Sequence, residues 1–458
     1  MDAKISTIDR ELDFLFGRIN YEKTTARRFS FKSRAMSLLM QRLGEPQRTL
    51  PTIHIAGTKG KGSVSAFIGN CLWAAGLRAG VYSSPHIESI HERFVINAQP
   101  ISNEALASVL ADIRTAVEAI DEQLQDEDEY RLPTFFEMAT ATALLHFARQ
   151  TTDWAILETG LGGRLDSTNI CQPAACVITN ISLDHTRQLG NTLDKIAGEK
   201  AGIIKPNVPV ICGVRADLAR DVIHQVAEQN HARIFQLGQD FDYEYQGTLR
   251  VFGSIDGKEF SIDGVTPGML GQHQAENAAV ALATLQLEIF QNRFTLDQLQ
   301  SGIANARLKG RCELIETSVS RQAVSVLLDM AHNEASANAL AEMLSQLQQT
   351  GNFASSTLIF AVSKDKDIPK ITRRLFHKFD RVIVTRFQTN PRAANPQSIA
   401  DTVPHPDLRI EDQPELAWQS AIQSVDSPEL ICVAGSAFLC SELRPLVTRI
   451  FPANSPPA

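Results

Sequence analysis

Short apolar runs recur along this chain, and most are followed by a stretch whose apolar positions repeat at helical spacing. The first run is PTIHIAG at 51–57, and the segment behind it places Val64, Phe67, Ile68, Cys71 and Leu72 on one helix face. Further strands are predicted at AGVYS (79–83), WAILET (154–159), ACVITN (175–180) and VPVICG (208–213), with helices between them. Over 240–270 the pattern changes to short alternating runs broken by Gly and Asp, which predicts antiparallel strands at the sheet edge. A second block opens near 310, with strands at AVSVLLD (323–329), STLIFAV (356–362), RVIVT (381–385) and LICVAG (430–435). Strands alternating with helices predict an α/β fold. Residues 1–307 read as a mostly parallel sheet domain with helices on both faces, and 308–458 as a smaller Rossmann-like α/β domain. The joint falls within ANARLKGRCE (304–313), and the Pro-rich end FPANSPPA predicts a frayed tail.

Composition narrows the function classes. The 458 residues carry 52 acidic and 44 basic side chains, a net charge of -8, with no basic run, which argues against nucleic acid as partner. No apolar stretch is long enough to span a membrane, and the start MDAKISTIDRELDFLFGRIN is polar and acidic where a secretion signal is basic and then apolar. A cytoplasmic protein without a membrane partner is expected. The 7 cysteines are scattered, odd in number and free of any CxxC pair, so reduced, buried thiols are predicted and zinc is not.

The segment Gly57-Thr58-Lys59-Gly60-Lys61-Gly62-Ser63 follows a strand and opens a helix. Glycines let backbone N–H groups turn inward around an anion, and the helix N-terminus adds partial positive charge. Lys61 is placed to reach outer phosphates, and Ser63 brings a hydroxyl near the metal. The spacing departs from GxxxxGK[ST]: Ile55 stands at the first glycine position, and Gly62 separates Lys61 from Ser63. The first domain is therefore P-loop-type, and ATP is the expected ligand. Glu158 at a strand tip, with Asp184 and His185 after another strand, brings hard oxygens and an imidazole to the same edge, a donor set for Mg²⁺.

GTKGKGS resembles the nucleotide loop of the Mur ligase superfamily, and in particular of its folylpolyglutamate synthase and dihydrofolate synthase family. The likeness extends in order through YSSPHIESIHERFVIN (82–97), TFFEMATATALLHF (134–147), ETGLGGRLDSTN (158–169), ITNISLDHTRQLGNTLDKIAGEKAGIIKP (178–206), GQHQAENAAVALAT (271–284), LLDMAHNEASANAL (327–340), PRAANP (391–396) and VAGSAFL (433–439). It implies an ATP-dependent ligase that joins L-glutamate to a folate, and also to dihydropteroate, through an acyl phosphate with release of ADP and phosphate. It also implies a monomer.

The resemblance assigns roles residue by residue. Ser84, Glu158 and His185 correspond to the magnesium ligands, joined by Lys200 where that lysine is carbamylated. Lys61, Glu158, His185 and Lys200 are the catalytic candidates. Gln274, Asn277 and Arg311 correspond to nucleotide contacts, Arg311 reaching the phosphates. Asp329 corresponds to the ribose ligand and His332 to a residue near the phosphates. Ser363, Lys366 and Asp367, at a further strand end, are candidates for holding glutamate. Two departures stand out: Lys309-Gly310-Arg311-Cys312 replaces a proline-glycine-arginine-aromatic step, and Met330 replaces a glycine, which predicts a less compact turn. Thr134-Phe135-Phe136-Glu137 corresponds to a segment near the pterin, although paired aromatics are more often core.

Three alternatives stay open on sequence. One is a Mur-type ligase for a cell-wall nucleotide or a cyanophycin-like peptide, against which IHERFVIN and TFFEM count. Another is dihydrofolate synthase alone. The last is a silent nucleotide-binding regulator, against which the joint presence of Lys61, Glu158, His185, Lys200 and Arg311 counts.

Overall fold

The computed structural model describes residues 7–19, 34–124, 133–319, 322–351, 353–423, 425 and 427–450; the tail 451–458 lies outside them. By internal contacts the chain forms two compact units. The first comprises 1–86, 90–268 and 275–306, and the second 87–89, 269–274 and 307–458.

The first unit is built on eight strands: β1 Thr52–Ala56, β2 Ala79–Tyr82, β3 Phe94–Ile96, β4 Gln99–Pro100, β5 Trp154–Glu158, β6 Ala175–Ile178, β7 Val210–Cys212 and β8 Ile234–Gln236. Their order in the sheet is β4-β3-β2-β5-β1-β6-β7-β8. All neighbours are parallel except β2–β3 and β3–β4. Helices cover both faces of the central strands, so β1 and β6 are buried at every position, the polar Thr52 and His54 of β1 included. The helix Lys61–Ala74 lies along Leu296–Asn305, and Gly302 permits their close approach: a Cβ there would stand 2.5 Å from the Cα of Cys71. The helices Asn103–Leu124 and Phe135–Arg149 build one apolar cluster with Tyr82 and Phe94. Thr134 and Glu137 close a capping box at the start of the second of these helices, which buries Phe135 in that core.

The alternating stretch after 240 forms β9 Phe241–Gln246, β10 Thr248–Ile255 and β11 Lys258–Val265, antiparallel as predicted. They make a separate three-stranded sheet, however, and not the edge of the large one. The antiparallel edge lies instead at β3 and β4, where the two-residue strand ends on Pro100, whose missing N–H cannot continue a ladder.

The second unit carries six strands: β12 Glu313–Val319, β13 Gln322–Asp329, β14 Ser355–Phe360, β15 Arg381–Val384, β16 Leu408–Ile410 and β17 Glu429–Ala434, ordered β12-β13-β17-β14-β15-β16. Only β12 is antiparallel to its neighbour. Asp329 therefore ends the second strand of this unit, not the first, because the hairpin strand β12 precedes it. Apolar clusters cover both faces of this sheet, one around Leu344, Phe360 and Phe376 and the other around Ile359, Trp418 and Leu443.

Candidate active site

In register, Ile55 of β1 faces Glu158 of β5, and Ala56 faces Ile178 of β6. The loop after β1 thus begins between the carboxyl ends of β5 and β6, the edge at which parallel sheets bind ligands. Two backbone positions require glycine. Gly57 has φ 155° and a Cβ there would meet Thr179 Oγ1 at 1.9 Å; Gly60 has φ 83° and a Cβ there would meet Asn277 Oδ1 at 2.2 Å. The residues after β6 stitch the loop in place. Thr58 N donates to Asn180 O (2.8 Å), Lys59 N to Asn180 Oδ1 (3.1 Å), and Thr179 Oγ1 to Lys59 O (2.6 Å). Lys59 Nζ pairs with Asp184 at 3.0 Å. The helix then starts at Lys61 with no side chain capping it, so its first N–H groups keep their capacity for an anion.

Lys61 Nζ donates to the carbonyl of Gly57 at 3.2 Å and stands 3.8 Å from Glu158 Oε1. Lys200, on the helix Leu193–Ala201, is 4% exposed and donates to the same carbonyl at 2.7 Å. Burial first, and Lys61 second, push its ammonium down to about 7. The other oxygen of Glu158 accepts from Ser84 N at 3.3 Å. The structure thus brings Ser84, Glu158, Lys61, Lys200 and Gly57 together. His185 stands exposed in a left-handed conformation before the short helix Thr186–Leu189, with its N–H donated to Asp184 Oδ1 at 2.9 Å.

These residues fit a hard cation. Glu158 is 4% exposed at a strand tip, and buried carboxylates of that kind are held by cations. At the same edge the hydroxyls of Thr159 and Ser182 are buried with no hydrogen-bond partner among the described residues, as expected of groups that complete their bonds to a ligand or its water. No three His, Cys, Asp or Glu side chains gather in metal-binding geometry among the described residues.

Behind this edge lies a buried chain that no residue spacing in GLGGRLDSTN marks. Asp166 accepts from the N–H groups of Gly160 and Leu161 (2.9 Å each) and from Thr168 Oγ1 (2.6 Å). Thr168 Oγ1 in turn lies 2.8 Å from His54 Nε2. Burial raises the carboxyl of Asp166 and lowers the imidazole of His54 to about 3, so His54 is neutral; with the hydroxyl hydrogen of Thr168 given to Asp166, the tautomer that fits is the one with Nε2–H as donor. The loop held by Asp166 packs on the lysine helix: Arg164 N donates to Glu199 O at 2.7 Å, and a Cβ on Gly163 would stand 2.8 Å from Lys200 O. The ring of Phe136 fills the space over Gly160, where a Cβ would come within 2.3 Å of it.

The helix Gln272–Thr284 carries Gln274, buried, and Asn277, half-buried against Gly60. Its Glu276 accepts from Arg215 Nε at 2.9 Å. In the second unit, Asp329 accepts from Cys312 N and Ala331 N, both at 2.8 Å, while His332 Nδ1 lies 2.8 Å from Met330 O. The sequence predicts a looser turn at Met330. Instead it is 6% exposed in the apolar core and its N–H reaches Gly310 O at 3.0 Å. Arg311 lies between Gly310 (φ 63°) and Cys312 (φ 46°), and its guanidinium makes no hydrogen bond or ion pair among the described residues. Ser363 is buried in a bridge to Ala393, with its carbonyl accepting from Lys366 N at 3.1 Å. Asp367 caps the helix Ile368–Leu375 and pairs with Lys370, so helix formation accounts for its carboxylate.

A phosphate-binding loop on a parallel sheet, followed by a second α/β unit, is the make-up of a nucleotide-dependent ligase. Residues 55–285 match the Mur ligase middle domain, and 310–437 match the Mur ligase, glutamate ligase domain. The dihydrofolate synthase/folylpolyglutamate synthase of Bacillus subtilis is 35% identical over 418 residues, covering 89% of this chain and 93% of that protein. A Mycobacterium tuberculosis folylpolyglutamate synthase structure complexed with ADP superposes with TM-score 0.84 at 29% identity, over 97% of this chain and 99% of that one. The bifunctional folylpolyglutamate synthase/dihydrofolate synthase of Yersinia pestis, complexed with AMPPNP and a Mn ion, gives TM-score 0.80 at 27% identity, over 96% and 98%. The chain belongs to the Mur ligase family, in its folylpolyglutamate synthase/dihydrofolate synthase branch. No described helix is long and apolar enough to cross a membrane.

Proposed function

We propose that this protein is an ATP-dependent ligase that adds glutamate to folates, and also to dihydropteroate. The observation that carries the reading is the pair of ammonium groups of Lys61 and Lys200 on one carbonyl of the phosphate loop, with Glu158 beside them. A carboxylate is a poor acyl donor. Its oxygen attacks the γ-phosphorus of ATP, ADP leaves, and an acyl phosphate forms. The α-amine of glutamate then attacks the acyl carbon, loses a proton, and phosphate departs as the amide forms. Lys61 and the first N–H groups of its helix hold the β- and γ-phosphate oxygens and meet the charge that develops there. The protein contributes position and charge and forms no covalent bond to substrate.

Ser84, Glu158, His185 and a carbamylated Lys200 would hold magnesium, which when bound neutralises phosphate charge. Thr58, Lys59, Gly60, Gly62 and Ser63 line the phosphates, with Gln274 and Asn277 on the nucleotide. Arg311, Asp329 and His332 serve the phosphates and ribose from residues 308–458, where Ser363 and Lys366 would hold glutamate; the ATP and folate parts lie in 1–307. A monomer in the cytoplasm suits a chain of this kind.

Both acceptors are kept because the Bacillus subtilis relative carries both names. The test is ADP release with dihydropteroate and with tetrahydrofolate, each with and without glutamate, and product length by mass spectrometry. ADP release that needs glutamate and either acceptor supports the reading; release with neither acceptor rejects it.

A further inference from the structure

We propose that Arg444 is a positioning residue for Arg311: one guanidinium fixes the turn that presents the other. The inference rests on Arg311 as the arginine that serves the ATP phosphates.

The turn Lys309–Cys312 sets left-handed Gly310 and Cys312 on either side of Arg311, and at Cys312, which is not a glycine, that conformation costs energy unless its neighbours hold it. They do so at three of its four residues. Lys309 Nζ pairs with the carboxylate of Glu88, Gly310 N donates to Glu313 Oε2 at 2.9 Å, and Cys312 N donates to Asp329 Oδ2 at 2.8 Å. Asp329 is fixed by its own strand end. The other two anchors, Glu88 and Glu313, are held by Arg444, on the helix Ala437–Ile450. Its Nε lies 3.0 Å from both oxygens of Glu313, its Nη2 2.7 Å from Glu313 Oε1, and its Nη1 2.8 Å from Glu88 Oε1. The side chains of Arg444 and Glu313 are 15% and 17% exposed, so this is a partly desolvated network and not a solvated surface pair.

Arg444 is suited to this task in a way that lysine is not. A planar fork reaches three carboxylate oxygens on two residues at once, whereas an ammonium is a single point charge. Without it two carboxylates face each other, and both draw away from the turn. Lys309 and Gly310 then lose their anchors, and Arg311, whose guanidinium makes no hydrogen bond or ion pair among the described residues, loses its direction.

The test is a double-mutant cycle on the full-length protein. Arg444→Met lowers kcat/KM for ATP by roughly 10- to 100-fold, the size of effect that a misplaced catalytic group produces. KM for the folate stays within about twofold, and Arg444→Lys falls between parent and Arg444→Met. In an Arg311→Ala background Arg444→Met adds no more than about twofold, because the residue it serves is gone. Losses that multiply in the double variant, or a parental kcat/KM for ATP in Arg444→Met, overturn the proposal. Should Arg444→Met fail to fold, Glu88→Gln, which weakens one arm only, enters the same cycle with the same two outcomes. A parental rate in Arg311→Ala strikes the underlying reading of that arginine, whereas an impaired Arg311→Ala beside a harmless Arg444→Met strikes this proposal alone.

Discussion

Lys200 donates from a buried ammonium to the carbonyl of Gly57 at 2.7 Å, in a place where Lys61 already donates to the same oxygen. Two cations share one neutral acceptor, and burial weighs against the charge of the deeper one, which titrates near 7. An unfolded chain holds that proton up to the ordinary lysine range, near about 10.4. Between about 7 and that range the unfolded state binds more protons than the folded state, so stability rises with pH across the window. Lys200→Met removes this contribution. Urea denaturation at pH 7 and pH 10 is expected to show a parental gain on the order of a few kcal/mol that the variant lacks.

An amine with a depressed pKa is also the form that takes up carbon dioxide, since only the neutral nitrogen attacks it. Carbamylation of Lys200 turns a donor into an anionic oxygen ligand. Activity in buffer stripped of carbon dioxide should fall and return on addition of bicarbonate, and Lys200→Arg should be slow and indifferent to bicarbonate. A bicarbonate response that persists in the arginine variant would count against the carbamate.

Gly60→Ala places a Cβ 2.2 Å from Asn277 Oδ1 and holds a left-handed backbone. The strain costs about 1–3 kcal/mol, and the loop must shift to relieve the contact. KM for ATP is expected to rise at least about tenfold while KM for glutamate changes little. Asn277→Gly added to Gly60→Ala frees the space but not the backbone, so the recovery should be partial.

Glu158→Gln keeps the shape of the strand tip and removes its charge. Binding of a divalent cation weakens, so the magnesium concentration for half-maximal rate should rise by roughly tenfold or more, with chelator abolishing activity in both proteins. Lys61→Ala, by contrast, is expected to lower kcat by about 100-fold or more at any magnesium concentration, because added metal does not replace the ammonium that meets the charge developing on the phosphates. Steady-state titration with magnesium separates the two.

The strands around the phosphate loop were legible because parallel strands buried on both faces are rich in apolar residues, as in ACVI and, around the buried Thr52 and His54, in TIHIA. The loop was legible because its glycines are demanded by backbone geometry at 57 and 60. The placement of β9–β11 was not, since alternation reports a half-buried strand without saying which sheet it joins. Nor was β12, which is defined by its antiparallel pairing with β13 across a hairpin. Asp166 and His54 escaped notice because each reads as an ordinary polar residue until folding joins them through Thr168. Arg444 stands more than a hundred residues from Glu313, and nothing near it in sequence marks the contact.

All seven cysteines are buried free thiols, and burial raises each of them. Alkylating reagents need an accessible thiolate, so the native protein is close to inert toward maleimides. A single cysteine introduced on an exposed helix position would then carry a fluorophore without first deleting the natural seven, and the rate at which those seven become labelled would serve as a clock for global opening.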